Sequence, residues 1–171
     1  FVHRLSRRKG SHKILSIAER VTKNARDVIF LIIGIGPEQK NLEFRIQNSE
    51  LSRCVRLLGE VPNKDIPRYF DAADVFFMPS EEEGFPHVLI EAQASGIPYV
   101  ASDVGGVREI TPPELQEYVL PERDVGAFSD KILKLLKMTQ EERQKIGRVE
   151  REWAKQYDIQ EAVPKFIKLF E

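Results

Sequence analysis

Three consecutive glutamates, Glu81, Glu82 and Glu83, stand between Pro79-Ser80 and Gly84-Phe85-Pro86, and a fourth, Glu91, follows Glu83 by eight residues. The plain reading of the triplet is a solvated acidic loop near a helix N-terminus, where the helix dipole favours negative charge. The spacing of Glu83 and Glu91 adds a second reading. One carboxylate would sit on a loop and the other in the first turns of the helix that follows, so that both face one cleft. Glu91 is flanked by Leu89, Ile90 and Ala92. In an apolar setting a carboxylate needs a partner or a ligand hydroxyl to offset its desolvation. Gly84 is expected to supply a turn that a Cβ resists, and Pro86 suits a first helical turn.

Two other groups have chemistry-bearing types. Arg4 and Lys9 bracket Arg7 and Arg8 in a basic segment, which reads either as surface charge or as an anion site. Gly34 and Gly36 read either as a tight strand-to-helix turn or as a nest of backbone N–H groups for phosphate. Position 39 is Gln, so the pattern Gly-x-Gly-x-x-Gly is not met, which argues against a nicotinamide cofactor. His3 and His87 have no neighbouring nucleophile or metal-ligand cluster in the sequence and are read as non-catalytic.

The elements that would position these residues alternate between short apolar runs and amphipathic stretches. Strands are expected at 28–33, 55–58, 75–78, 99–101 and 117–120. Helices are expected from Ser11 as an N-cap, then at 37–48, 63–72 with Asn63 as N-cap, 86–95 stopped by Gly96, 126–137, 140–155 and 159–170. Such alternation specifies an α/β fold, a doubly wound parallel sheet of about six strands with helices on both faces. Leu31, Ile33, Leu57, Val75, Phe77 and Val100 are its expected core. Ligands of such sheets bind beyond the C-terminal ends of the strands, which directs attention to the loops at 34–37, 59–62, 79–86 and 102–108.

A chain of 171 residues suits one domain. With 42% apolar and 31% charged residues it has an ordinary soluble composition, and a net charge of −1 argues against a nucleic-acid surface. The single cysteine, Cys54, excludes an internal disulfide framework and reads as a small buried hydrophobe. No apolar run approaches the ~20 residues of a membrane span. Residues 1–10 are too basic for a signal peptide. Phe1-Val2 reads as the tail of a strand already under way, so a further segment is expected to precede it.

The frame Pro79-Ser80-x-x-Glu83-Gly84-Phe85-Pro86, continuing through Glu91-Ala92-x-Ala94-x-Gly96-x-Pro98, resembles the signature of family-four retaining glycosyltransferases, the group 1 glycosyl transferases of the two-domain GT-B type. Arg4-Leu5 with Lys9-Gly10, Ile33 to Pro37, Leu58 to Pro62, Ala73-Asp74-Val75 and Gly105 to Glu109 follow the same family's order, so the likeness runs from Arg4 to about Leu136. It implies that residues 1–171 form the nucleotide-sugar-binding, Rossmann-like half of the enzyme. The N-terminal acceptor domain would lie elsewhere, and a terminal helix at 158–171 would pack on it.

The resemblance assigns roles residue by residue. Glu83 would contact the transferred sugar, and Glu91 would accept hydrogen bonds from the ribose. Arg4 and Lys9 would stabilise the diphosphate as its negative charge grows. Gly36, Gly59 and Val61 would line the nucleotide, the last two at the base, and Gly84, Phe85 and Pro86 the sugar and phosphate. Asp71 and Asp74 do not form an Asp-x-Asp pair, so no metal and no other cofactor is expected. The implied partners are a UDP-, GDP- or ADP-sugar and the N-terminal domain. The implied location is the cytoplasm or the inner face of a membrane, with peripheral association of the whole enzyme. A catalytically silent binding module, or a phosphorylase or epimerase of the same fold, are the alternatives. His3 departs from the family's usual glycine, and Pro112-Pro113 from its usual Gly-rich hairpin.

Overall fold

The structure is a computed structural model that describes residues 1–121 and 124–158. Its strands are β1 (Phe30–Ile33), β2 (Val55–Gly59), β3 (Phe76–Met78), β4 (Tyr99–Ser102) and β5 (Val119–Leu120). Its helices are α1 (Ile14–Asn24), α2 (Gln39–Gln47), α3 (Ile66–Ala72), α4 (His87–Ser95), α5 (Val107–Ile110), α6 (Val125–Lys137) and α7 (Gln140–Ala154). The expected helix at 159–170 lies outside the described residues.

All strand pairs are parallel, in two sheets ordered β1-β2 and β3-β4-β5. The first residues of the chain run alongside β1. Val2 bridges Ile33, the Ile33 amide donates to the Phe1 carbonyl at 2.9 Å, and the His3 amide donates to the Ile33 carbonyl at 3.0 Å. The Phe1 ring also lies 6.0 Å from that of Phe77 on β3, so this segment joins the two sheets. Among the described residues, five strands and the Val2 bridge stand where about six strands were expected.

The apolar runs are continuous because both faces of the strands are covered. Along β4, Val100 enters the core beneath α1 and α6, while Tyr99 and Ala101 enter the core beneath α3 and α4. Along β3, Phe77 and the pair Phe76 and Met78 divide in the same way, as the two-residue period of a strand requires. Ile33, Phe77 and Val100 are buried as expected, and so is Cys54. Leu31, Leu57 and Val75 are only half-buried. Leu57 is on the edge strand β2. Leu31 and Val75 line a groove of about 400 Å³ near Asp27, Ala73 and Asp74, away from the carboxylates of interest.

Two expected caps fail. Ser11 opens a 3-10 turn, Ser11–Lys13, that leads into α1, and its buried hydroxyl has no hydrogen-bond partner among the described residues. Asn63 likewise opens the turn Asn63–Asp65 before α3 and caps nothing with its side chain. Gly96 does end α4, in the left-handed conformation at φ 68°. A Cβ on Gly147 would lie 2.1 Å from the Gly96 carbonyl oxygen, so α7 crosses that turn at backbone contact. The buried face of α7 carries a carboxyl, Glu150, which burial pushes well above the usual carboxylate range. No described helix is long and apolar enough to cross a membrane.

Candidate functional site

The acidic loop after β3 is gripped from two sides. On one side the Glu81 and Glu82 amides donate to the Arg8 carbonyl at 2.8 and 3.2 Å. Gly10, at φ 72°, approaches so closely that a Cβ would lie 2.0 Å from the Pro79 carbonyl oxygen. On the other side the Gly106 amide donates to the Gly84 carbonyl at 2.9 Å. Gly105, at φ 52°, would place a Cβ 2.0 Å from the Glu83 carbonyl oxygen. Both glycines are needed for the left-handed turn and for the approach. Gly84 is not: it has no positive φ, and a Cβ there would meet nothing within 4 Å. The chain does bend at Gly84, as expected, but in a conformation and a space that a Cβ would not resist.

The three loop carboxylates diverge. Glu81 faces His12 Nε2 at 3.2 Å and Lys13 Nζ at 3.3 Å. Glu82 pairs with Arg8 in solvent, an arrangement that contributes little to stability. Glu83 turns inward, its side chain 5% exposed. Its Oε1 accepts from Ser80 Oγ at 2.7 Å and meets His3 Nε2 at 3.0 Å, and its Oε2 accepts from Lys9 Nζ at 2.6 Å. Burial pushes this carboxyl up, but the hydrogen bonds from His3, Lys9 and Ser80 outweigh it and hold the pKa at about 2. His3 Nδ1 accepts the Arg4 amide at 2.9 Å. In a neutral ring the proton therefore sits on Nε2, directed at Glu83.

Beside this cluster opens a cleft of about 510 Å³ at the C-terminal end of β1, lined in part by His3, Arg4, Gly36, Val61 and Glu91. Arg4 is exposed, and its guanidinium has no hydrogen bond or ion pair among the described residues. Glu91 is exposed too. The helix buries Leu89, Ala92 and Gln93, the i, i+3, i+4 stripe, and position 91 falls outside it. The apolar setting expected for Glu91 is therefore absent, because its sequence neighbours point the other way. At Gly34 and Gly36 the close approach is to the chain's own backbone: a Cβ would lie 1.9 Å from the His3 carbonyl oxygen or 2.3 Å from that of Leu5. This favours the tight turn over the phosphate nest.

The model of the family described as glycosyl transferases group 1 matches residues 1–153. This chain belongs to the group 1 glycosyl transferases. It is similar to the amylovoran biosynthesis glycosyltransferase AmsK of Erwinia amylovora, 32% identical over 140 residues, covering 78% of this chain and 34% of that protein. It is also similar to a D-inositol 3-phosphate glycosyltransferase of Corynebacterium urealyticum, 34% identical over 143 residues, covering 80% of this chain and 34% of the relative. The chain thus spans about a third of the length of the curated relatives it matches. Among solved structures it matches TarM with a TM-score of 0.86 at 25% identity, over 100% of this chain and 34% of that one. It matches the Anabaena protein HepE in complex with UDP with a TM-score of 0.81 at 24% identity, over 98% of this chain and 47% of that one. The fold is the Rossmann-like α/β arrangement of GT-B glycosyltransferases.

Within this glycosyl transferase domain, the structure gathers Arg4, Gly36, Val61 and Glu91 on the cleft, with Glu83 and Lys9 joined to it through His3. Gly59 ends β2 in the left-handed conformation at φ 70°, its carbonyl accepting the Gly34 amide. Pro86 is buried at the start of α4, and Phe85 is half exposed, edge-on to His87 and Tyr157 with ring centroids 5.6 and 5.8 Å away. Sequence reasoning set His3 aside, and Ser80 was only part of a motif. Both are direct partners of Glu83. Their signal was position: His3 adjoins Arg4, and Ser80 lies three residues before Glu83.

Proposed function

We propose that the chain is the donor-binding domain of a retaining glycosyltransferase and binds a UDP-, GDP- or ADP-sugar without a metal. The observation that carries this reading is that Arg4, whose guanidinium has no partner among the described residues, lines the same cleft as Glu91. Beside them Lys9 and Glu83 form a second, enclosed pair. A diphosphate between Arg4 and Lys9 would receive charge-assisted hydrogen bonds, with Glu91 free to accept from ribose hydroxyls and Glu83 from the sugar. The group 1 family membership and the UDP bound by a solved neighbour support the same placement.

The transfer itself needs an acceptor held by a further domain. The retaining course follows from front-face attack, in which the leaving phosphate takes the acceptor's proton and no enzyme nucleophile is required. Calorimetry with UDP, GDP and ADP, each with and without EDTA, tests the proposal. One diphosphate is expected to bind regardless of EDTA. Its nucleoside should bind much more weakly, and Arg4→Ala or Lys9→Ala should weaken the diphosphate by about 10- to 100-fold. Binding that requires magnesium, or diphosphate affinity indifferent to both substitutions, would sink it.

A further inference from the structure

We propose that His3 is a positioning residue that selects which oxygen of Glu83 reads the donor sugar, and so narrows the sugars accepted. The inference rests on the donor-site reading above. Each carboxylate oxygen has about two acceptor positions. Oε1 of Glu83 has both taken, by Ser80 Oγ at 2.7 Å and His3 Nε2 at 3.0 Å. Oε2 has one partner among the described residues, Lys9 Nζ at 2.6 Å.

The three partners differ in how readily they leave. Ser80 lies three residues away on the same loop and is fully buried. The His3 ring is fixed by the Arg4 amide on Nδ1 at 2.9 Å and flanked by the Phe1 ring with centroids 6.5 Å apart. Lys9 is a point charge on a flexible stem with three protons, and its ammonium also reaches the exposed Glu82 carbonyl at 3.2 Å. A diphosphate between Arg4 and Lys9 draws Lys9 outward and releases Oε2, while Oε1 stays capped.

One oxygen in one fixed direction is then offered to the sugar. A carboxylate so held distinguishes the orientation of a single hydroxyl. Without His3, Oε1 keeps only Ser80 and regains one open acceptor position, so both oxygens can reach a hydroxyl and the epimer is accepted.

The test uses His3→Ala and His3→Gln, the second retaining an N–H donor of similar reach. UDP, GDP and ADP first identify the base by calorimetry. The glucose, galactose and mannose esters of that nucleotide then give the discrimination between epimers. His3→Ala is expected to lower epimer discrimination by about tenfold and to weaken the free diphosphate less than the sugar esters, with His3→Gln restoring most of the discrimination. A carbon-13 titration of the Glu83 carboxyl supplies a readout independent of any donor: its pKa, about 2 in the wild type, should rise in His3→Ala. Unchanged discrimination, an unchanged Glu83 titration, or a diphosphate affinity that falls as much as that of the sugar esters overturns the role of His3. If no diphosphate binds the wild type, or binding ignores Arg4 and Lys9, the donor-site reading fails and takes this inference with it.

Discussion

Glu83 and Glu91 are the same side chain eight residues apart, yet one is enclosed by three of the protein's own donors and the other stands in solvent without a partner among the described residues. The difference comes from what surrounds each backbone. Glu83 sits on a loop pressed between Gly10 and Gly105, which turns its side chain under the first segment of the chain. Glu91 sits on the outer face of α4. At one end Ser80 and His3 hold the Glu83 carboxylate before any ligand arrives, and the other end is left for a ligand to complete. Preorganised groups lose less freedom on binding, so the enclosed end is suited to precise contact and the open end to affinity.

The largest blow to this contrast should come from glycine. Gly105→Ala adds a Cβ at 2.0 Å from the Glu83 carbonyl oxygen at a positive φ, and is expected to cost about 2–4 kcal/mol in urea unfolding and to abolish donor binding. Gly84→Ala, with open space around it, should stay within about 0.5 kcal/mol. Equal costs for the two would mean that the loop is not gripped as described.

Next is Glu83→Gln. Loss of a carboxylate bonded to Lys9, His3 and Ser80 should lower stability by about 1–3 kcal/mol near neutral pH, and reduce turnover of the whole protein much further. The pH dependence has a definite sign. The folded pKa of about 2 lies below the reference value of 4.5, so the stabilisation is present above pH 4.5 and lost as pH falls through 4.5 towards 2. Unfolding measured across that window should lose this slope in Glu83→Gln. Glu150 works the other way. Its raised folded pKa favours the fold below its unfolded pKa, and that contribution is lost as pH rises, so Glu150→Gln should flatten the decline and raise Tm at neutral pH. A lower Tm there would show that Glu150 is held as a carboxylate by a cation such as Arg151.

Two smaller effects separate the ends of the site. Lys9→Ala should reduce both diphosphate affinity and Tm, because it strips a buried carboxylate of its cation, whereas Arg4→Ala should reduce affinity alone. Glu91→Ala should leave Tm unchanged and weaken nucleoside and diphosphate equally, by about tenfold, as loss of a charged acceptor to ribose predicts. Unequal weakening would move Glu91 away from the ribose.

Much of this was legible in the chain. The parallel alternation followed from β3 and β4, whose unbroken apolar runs need cover on two faces, and Gly96 marked the end of α4. What was hidden depended on contacts between distant residues. The burial of Glu83 comes from a segment some 75 residues earlier, which the local run of three glutamates disguised as a solvated loop. The exposure of Glu91 was hidden because residues close in sequence, Leu89 and Ala92, lie on the buried face of the helix. Ser11 and Asn63 have good capping types, but each begins a 3-10 turn that leads into the helix, which puts the cap position elsewhere.

The separation in sequence between the two halves of the site also fixes when it can exist. His3 and Glu83 are 80 residues apart, and Lys9 and Glu83 are 74 apart. Closing loops of that length is entropically unfavourable until the intervening strands have paired. During synthesis the basic segment emerges first and waits for β1, β2 and β3, then for its acid, then for the Gly105 turn that locks the acid in place. A lesion anywhere in that intervening stretch should therefore be felt as a mispaired site while much of the domain's helix content persists, and loss of donor binding should precede loss of circular dichroism on denaturation.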